Sequence, residues 1–277
     1  MKLFFTIAFA ACIATVFAQE GMHIEIMAQA QSNSIEGDYF VKNFAGNEEA
    51  MKKEFTFGYQ GGVAFGYGFN SRMGLSLGAF YSAQGQHYAD YTEVVTDVSH
   101  TVKRTTALNY LKIPLHFTFV VEMNNEFSFS AFAGFYFASL LSYTDKESLQ
   151  YSSSSLGPLF DGTADVSGTD YKWDYNDHGT HYLETYQLQG QPYKKSEFGI
   201  SAGACFDWRI GDNTYIPLML TYQAGLTDIK NHSAAVQRYG TTQSYWGDSD
   251  SRNHSEKCNN ATLGFLIGLK ITIGQDY

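Results

Sequence analysis

The sequence predicts an all-β fold, an eight-stranded antiparallel up-and-down transmembrane β-barrel with short periplasmic turns and long extracellular loops. Three observations predict it. Apolar residues recur at every second position over eight segments of about 10 to 16 residues, longer than the ~5–6 of an ordinary strand and long enough for the ~9–11 of a tilted membrane-spanning one. The connections between these segments alternate long and short, as in membrane barrels. The composition agrees: of 277 residues, 44% are hydrophobic and only 17% charged, with 22 Phe, 20 Tyr, 26 Gly and 4 Pro. Aromatic and glycine enrichment with few Lys and Glu suits strands rather than helices.

The elements follow in order. Residues 1–18, "MKLFFTIAFAACIATVFA", combine one Lys with an apolar run and small residues before Ala18, the pattern of a cleaved secretory signal peptide. "FAAC", ending at Cys12, also resembles a lipoprotein cleavage box, but the apolar run before it is short. The barrel domain is therefore expected over 19–277. Its first candidate strand, 21–31, sets His23, Glu25, Met27 and Gln29 opposite Ile24, Ile26, Ala28 and Ala30. The others cover 55–69, 73–85, 108–120, 127–143, 197–209, 214–226 and 261–273. The long connections are 32–54, 86–104, 144–196 and 227–260; the short ones are 70–72, 121–126 and 210–213.

In "LNYLKIPLHFTFV" (108–120) the apolar face is Leu111, Ile113, Leu115, Phe117 and Phe119, and the polar face is Lys112, Pro114, His116 and Thr118. A membrane barrel puts the apolar face to lipid and the polar face inward. A soluble β-sandwich or barrel would do the reverse, but the small residues on the polar faces would leave its core underfilled. Pro114 cannot donate to a ladder, so a bulge or a locally missing hydrogen bond is expected there.

This segment also carries a resemblance. "LNYLKIPLHFTF" is similar to the Leu-Asn-Tyr-Leu-x-Ile-Pro-Leu signature of the PorT-like outer-membrane barrels of Bacteroidota. "SLGAFYSAQGQ", "FGISAGACFDW" and "LTYQAGLTDI" resemble further strands of that family in order, and the likeness covers most of 55–273. The chain departs from the family in the 144–196 insertion and in its C-terminal "GQDY", where Tyr277 lies beyond the alternating run. The resemblance implies an outer-membrane location and a small eight-stranded barrel. It implies little about activity, although the named member is linked to assembly of a secretion system.

Chemistry-bearing residues are few. A lumen this narrow is filled by its own side chains. Glu25, Lys112, His116, Asp207, Arg209 and Lys270, with Gln60 and Gln84, are expected to form an inward polar network that neutralises itself rather than an open pore. No serine can be assigned beside His116. "HGTH" sets His178 and His181 near Asp174, Asp177 and Glu184, a possible zinc spacing that in an acidic loop is more often coincidence; "DYNDHG" lacks calcium-loop spacing. No metal, cofactor or catalytic residue is expected. Cys205 and Cys258 are expected to be free thiols, one deep in a strand and one at a strand top.

The third long loop is the most distinctive part. Tyr171, Trp173, Tyr175, Tyr182 and Tyr186 are candidate contact residues, because exposed aromatics bring contact area at low entropy cost. The bland alternative is that they pack on each other as a lid, or extend the barrel as hairpins. The formal charge of −10 excludes a nucleic-acid footprint. The expected surroundings are outer-membrane lipid and lipopolysaccharide, with a surface glycan or an envelope protein as partner. The expected role is non-enzymatic, in surface contact or envelope integrity. A secretion-assembly subunit is one alternative. A lipid-modifying enzyme is another, and requires a nucleophile–base pair within about 3.2 Å.

Overall fold

The computed structural model describes residues 21–124, 126–168, 170–238, 241–244 and 257–273. The expected signal peptide and Tyr277 lie outside the described residues. The strands, in order, are β1 (Met22–Glu36), β2 (Phe40–Lys42), β3 (Glu48–Ala50), β4 (Lys53–Glu54), β5 (Thr56–Gly68), β6 (Met73–Val95), β7 (Val98–Met123) and β8 (Phe127–Ser153). Then follow β9 (Gly157–Ser167), β10 (Asp170–Asp177), β11 (Thr180–Gln189), β12 (Ser196–Gly211), β13 (Thr214–Gly225), β14 (Ala235–Arg238), β15 (Thr241–Ser244) and β16 (Asn259–Ile273).

Eight of these strands form a closed circuit of antiparallel pairings. It runs β1–β5–β6–β7–β8–β12–β13–β16 and returns to β1. They are the eight segments whose alternation predicts strands. Both described chain ends lie at one end of the circuit, since Met22 is the register partner of both Tyr67 and Ile273. The short turns sit at that same end, and asparagines close two of them. Asn70 Oδ1 accepts from the amides of Arg72 and Met73, each at 2.8 Å, and Asn124 Oδ1 accepts from those of Glu126 and Phe127 at 2.9 and 2.7 Å.

The faces divide as the alternation predicts. On β7, Phe117 is 57% exposed and points outward, whereas Lys112 is 1% exposed and points inward. Outward-facing Phe57, Phe65, Leu77, Phe135, Leu220 and Phe265 belong to the same exposed apolar surface. An exposed apolar surface of this extent marks a membrane-facing or interaction surface. Inside, glycines make room for large polar neighbours. A Cβ on Gly264 would run into the Gln29 amide, and one on Gly66 into the His23 ring.

Pro114 sits in a lapse rather than a bulge. The β6–β7 ladder passes from Leu77↔Leu115 to Phe80↔Lys112 with no change of register, so the pairs opposite Pro114 are missing while the alignment holds. Pro217 does the same between β13 and β16, where the ladder passes from Tyr215↔Lys270 to Leu218↔Ile267.

The far end corrects the loop expectations. Segments 86–104 and 144–196 are mostly strand. β6 and β7 run on to a tight turn at Thr96 and Asp97, and β8 continues through Ser153. β9, β10 and β11 then extend the sheet sideways, followed by β14 and β15. Segment 32–54 begins as the end of β1 and contains the β2–β3 hairpin, which packs Val41 and Met51 against Tyr88 and Val102. Segment 227–260 contains β14 and β15 and the start of β16. The physical reason lies in the alternation itself. It persists beyond the greasy band, as Val102-Lys103-Arg104-Thr105-Thr106, but with polar residues on both faces. Such strands pair as well as greasy ones, and lose only the hydrophobic signal that marks a span.

Candidate functional site

The inward side chains form tiers rather than one network. Nearest the chain ends, Lys270 Nζ lies 2.9 Å from Asp207 Oδ2 and 3.8 Å from Glu25 Oε1, and His23 Nε2 lies 3.3 Å from that same Glu25 oxygen. The Cys205 thiol donates to Asp207 Oδ1 at 3.3 Å. These groups line a cavity of about 700 Å³ that also touches Phe80, Phe132, Met219 and Leu266. Glu25, Asp207 and Lys270 thus meet as the sequence predicts. Arg209 lines the same cavity, and its guanidinium donates to the carbonyls of Gly211 and Asp212, at 3.1 and 2.9 Å, across the turn after β12.

The middle tier closes the cavity from above. Lys112 Nζ donates to Gln223 Oε1 at 2.6 Å and lies 4.8 Å from the centre of the Tyr136 ring. The Tyr136 hydroxyl donates to Glu197 at 2.7 Å, and the Asn260 amide donates to Glu197 at 2.6 Å and to the Tyr110 hydroxyl at 3.2 Å. The sequence reading missed Glu197, which stands at the very start of its strand, where a carboxylate reads as solvent-facing.

His116 also departs from expectation. Its Nε2 is 2.7 Å from Ser201 Oγ, so the serine that could not be assigned is supplied by β12. That distance is within reach for a nucleophile and a base. Yet Ser201 is buried, and among the described residues no carboxylate hydrogen-bonds the ring. The ring is held between that serine of the wall and the Phe132 ring at 4.8 Å, which suits a structural hydrogen bond.

At the far mouth, Arg104 binds Asp145 and lies 3.4 Å from Glu147, with its guanidinium 3.8 Å over the Tyr39 ring. Tyr39 donates to Glu147 at 2.7 Å and Tyr193 to Asp145 at 3.1 Å. Burial holds both tyrosine hydroxyls well above their ordinary pKa, so they remain donors. The cluster is a polar lid over the lumen.

Beyond the lid, the β10–β11 hairpin collects the five candidate contact aromatics on one face. Tyr171 pairs with Tyr186 and Tyr175 with Tyr182, and Trp173 stands between them opposite Glu184. The rings continue across the sheet. Tyr182 stacks on Tyr175 at 4.9 Å, Tyr175 meets Phe160 at 5.7 Å, Phe160 meets Tyr151 at 6.2 Å, and Tyr151 stacks on His100 at 4.6 Å. Phe44 of the β2–β3 connection closes the row against His100. The other face carries charges paired across strands, His181 with Asp174 at 2.6 Å and Lys146 with Asp165 at 3.3 Å. His178 pairs instead with Asp177, so the two histidines of "HGTH" go to different carboxylates. The hairpin alternative is thus realised, with the aromatics stacked on each other.

Among the described residues Cys205 and Cys258 are free thiols in separate clusters, Cys205 low in the lumen and Cys258 beneath the far mouth with Tyr193 and Ile229.

Among curated proteins none matches the chain. Solved structures similar to it include the outer membrane protein OprG from Pseudomonas aeruginosa, at 9% identity and a TM-score of 0.41 over 93% of this chain and 98% of that one. The outer membrane protease OmpT from Escherichia coli is similar at 10% identity and 0.45, over 92% and 98%. Ail, the attachment invasion locus protein of Yersinia pestis, is similar at 11% identity and 0.31, over 91% and 99%. A family model described as outer membrane protein beta-barrel domain matches residues 17–231, and the chain belongs to that family.

Proposed function

We propose that the eight-strand circuit is an eight-stranded transmembrane barrel whose far end faces the exterior, and that the chain is a non-enzymatic surface-contact protein of the PorT-like group. The observation that carries this reading is the β10–β11 hairpin, whose five aromatics share one face beyond the circuit. Rings already stacked on each other lose little freedom when a partner binds, so their contact area comes at low entropy cost. A surface glycan or lipopolysaccharide fits such a row, with Glu184 beside Trp173 to accept from hydroxyls. The test is binding of purified, lipid-reconstituted protein to lipopolysaccharide and to a glycan array, against Trp173→Ala and Tyr182→Ala. Loss of binding in both variants supports the reading, and unchanged binding sinks it.

The His116–Ser201 contact favours a second reading, a barrel enzyme acting on acyl groups. A fluorophosphonate probe tests it directly. Labelling at Ser201 that His116→Ala abolishes would replace the surface-contact proposal.

A further inference from the structure

We propose that the lower half of the lumen is a blind pocket for a small uncharged molecule with an apolar body, entered from the end that holds the chain termini. This inference is independent of the surface-contact reading, since it concerns a separate compartment. The cavity of about 700 Å³ lies within the range of ligand pockets, ~300–1,000 Å³. Its lining includes Asn70 and Ser71 from one terminal-end turn and Asn124 from another, so its mouth is at that end. Its inner limit is Gln223, which accepts from Lys112, and Lys112 is 1% exposed.

The inner end of the pocket is apolar. Met27, Phe80, Phe132, Met219 and Leu266 belong to one buried cluster. Glycines keep the space open. A Cβ on Gly78 would run into the Phe80 ring, and one on Gly203 into the Phe132 ring, so each ring lies along the wall over a glycine instead of reaching across the lumen. The charged groups stand nearer the mouth. Glu25 precedes Met27 on a strand that starts at the terminal end, whereas Asp207, Arg209 and Lys270 follow Cys205 and Leu266 on strands that finish there. Besides the histidines His23 and His116, the lining holds these two carboxylates and two cations, so its formal charges cancel and neither sign of ion is favoured. An ion of either sign still has to shed water to reach the low-dielectric inner end. An uncharged molecule does not, and its apolar body gains from contact with Phe80, Phe132 and Leu266.

Cys205 lines the same cavity and supplies the reporter. The chain is reconstituted in lipid nanodiscs at pH 8, where histidine is ordinarily neutral, and modification of Cys205 is followed by peptide mass spectrometry. The reagents are the neutral hydroxyethyl methanethiosulfonate and its cationic trimethylammonioethyl and anionic sulfonatoethyl analogues. Each rate is taken relative to that of the urea-unfolded chain. The neutral reagent should lead both ions by on the order of ten-fold, because either ion is desolvated on entry. 4-Phenylbutanol should slow the neutral reaction, while phenylbutylamine and phenylbutyrate, of nearly the same size, should not at equal concentration. Gly78→Ala pushes the Phe80 ring into the lumen and leaves the charged groups in place, so it should abolish protection by 4-phenylbutanol. Leu266→Trp takes its place if heat-modified gel migration shows that the alanine variant does not fold. An ion of either sign as fast as the neutral reagent, a Cys205 inert to all three, no protection by 4-phenylbutanol, or protection that persists in the filled pocket would each overturn the proposal.

Discussion

Tyr175 of β10 and Tyr182 of β11 lie face to face across their hairpin, with ring centroids 4.9 Å apart and planes 16° from parallel. They are direct register partners, and the turn beyond them is built for the pair. His178 and Gly179 both take positive φ, at 49° and 85°, and the Asn176 side chain accepts from the Gly179 amide at 2.8 Å. An aromatic cross-strand pair contributes about 0.5–1.5 kcal/mol beyond its area. A double-mutant cycle of Tyr175→Ala and Tyr182→Ala, read by amide exchange of the hairpin, should return a coupling of that size. A coupling near zero would mean that the two rings do not stack in the membrane-bound protein.

The charge tier makes a second prediction. Lys270 is bracketed by Asp207 and Glu25. Removing one partner of a buried pair is strongly destabilising, about 3–5 kcal/mol, because it strands the other charge. Lys270→Met should therefore lower the urea midpoint of the refolded barrel markedly, since it removes the ammonium that Asp207 and Glu25 share. Lys270→Met with Asp207→Leu should recover part of the loss. A single variant as stable as the parent would show that water already solvates the tier.

The lipid and lumen faces can be separated on one strand. Leu115 faces outward on β7 and is 36% exposed, whereas Thr118 alternates to the inside. Leu115→Arg should weaken folding into liposomes by about 2–4 kcal/mol, the cost of a basic side chain near the bilayer midplane. Thr118→Ser should be close to neutral. The reverse order would turn the barrel inside out.

How much of this was legible in the sequence depended on where hydrophobicity and alternation coincide. In the membrane-spanning part of β7 they do: Leu111, Ile113, Leu115, Phe117 and Phe119 mark the lipid face, and Lys112 and His116 were placed inward correctly. Outside the membrane the two signals separate. The half of β8 from Thr144 to Ser153 alternates inward Asp145, Glu147, Leu149 and Tyr151 with Lys146, Ser148 and Gln150, and no greasy face reveals it as strand. The contact aromatics were recognisable as a set, because their odd and even spacing on either side of His178 and Gly179 places them on one face once the turn is known. The tier structure was not legible. Glu197, Ser201 and Gln223 come from strands distant in sequence, and only closure of the circuit brings them to Lys112 and His116. Arg209 lines the lumen as alternation predicts, and what alternation does not fix is the further reach of its long side chain to the carbonyls of the nearby turn.

A fourth prediction concerns acid. His100 is buried against the Tyr151 ring near the tip of the β6–β7 extension. Burial lowers its pKa, against the opposing pull of Glu93 and Glu147. A group with a lowered folded pKa takes up fewer protons folded than unfolded, so stability rises with pH. The His100 contribution is complete above the unfolded value, near 6.5, and is lost as pH falls from there through the folded value. Acidification from about pH 7 to pH 5 should therefore lower the amide protection factors, exchange being taken relative to the intrinsic rate at each pH, in the outer halves of β7 and β8. His100→Phe should remove that acid sensitivity. A variant that keeps it would place the sensitivity elsewhere.

The last prediction asks where function resides. Cutting between Ser142 and Ser196 removes the whole third outer segment, including Asp145 and Glu147 that hold Arg104, and the outer half of β7 loses β8 beside it. A smaller cut avoids that damage. Asp170 and Gln187 are register partners, so the ends left by deleting 170–187 lie side by side and a short glycine link can join them. The deletion removes Tyr171, Trp173, Tyr175, Tyr182 and Tyr186 together, yet leaves β9 on β8 and Tyr193 on Asp145. Closure entropy changes little, by about 0.6 kcal/mol per doubling of loop length. None of the circuit's eight pairings passes through the hairpin. The small deletion should therefore give a heat-modifiable, membrane-inserted barrel that has lost surface binding. The large cut should also insert, but with fast amide exchange in 86–104. If surface binding survives the small deletion in a folded barrel, the hairpin is not the contact element. The search would then move to segment 227–260, or to the lumen around Lys112 and His116.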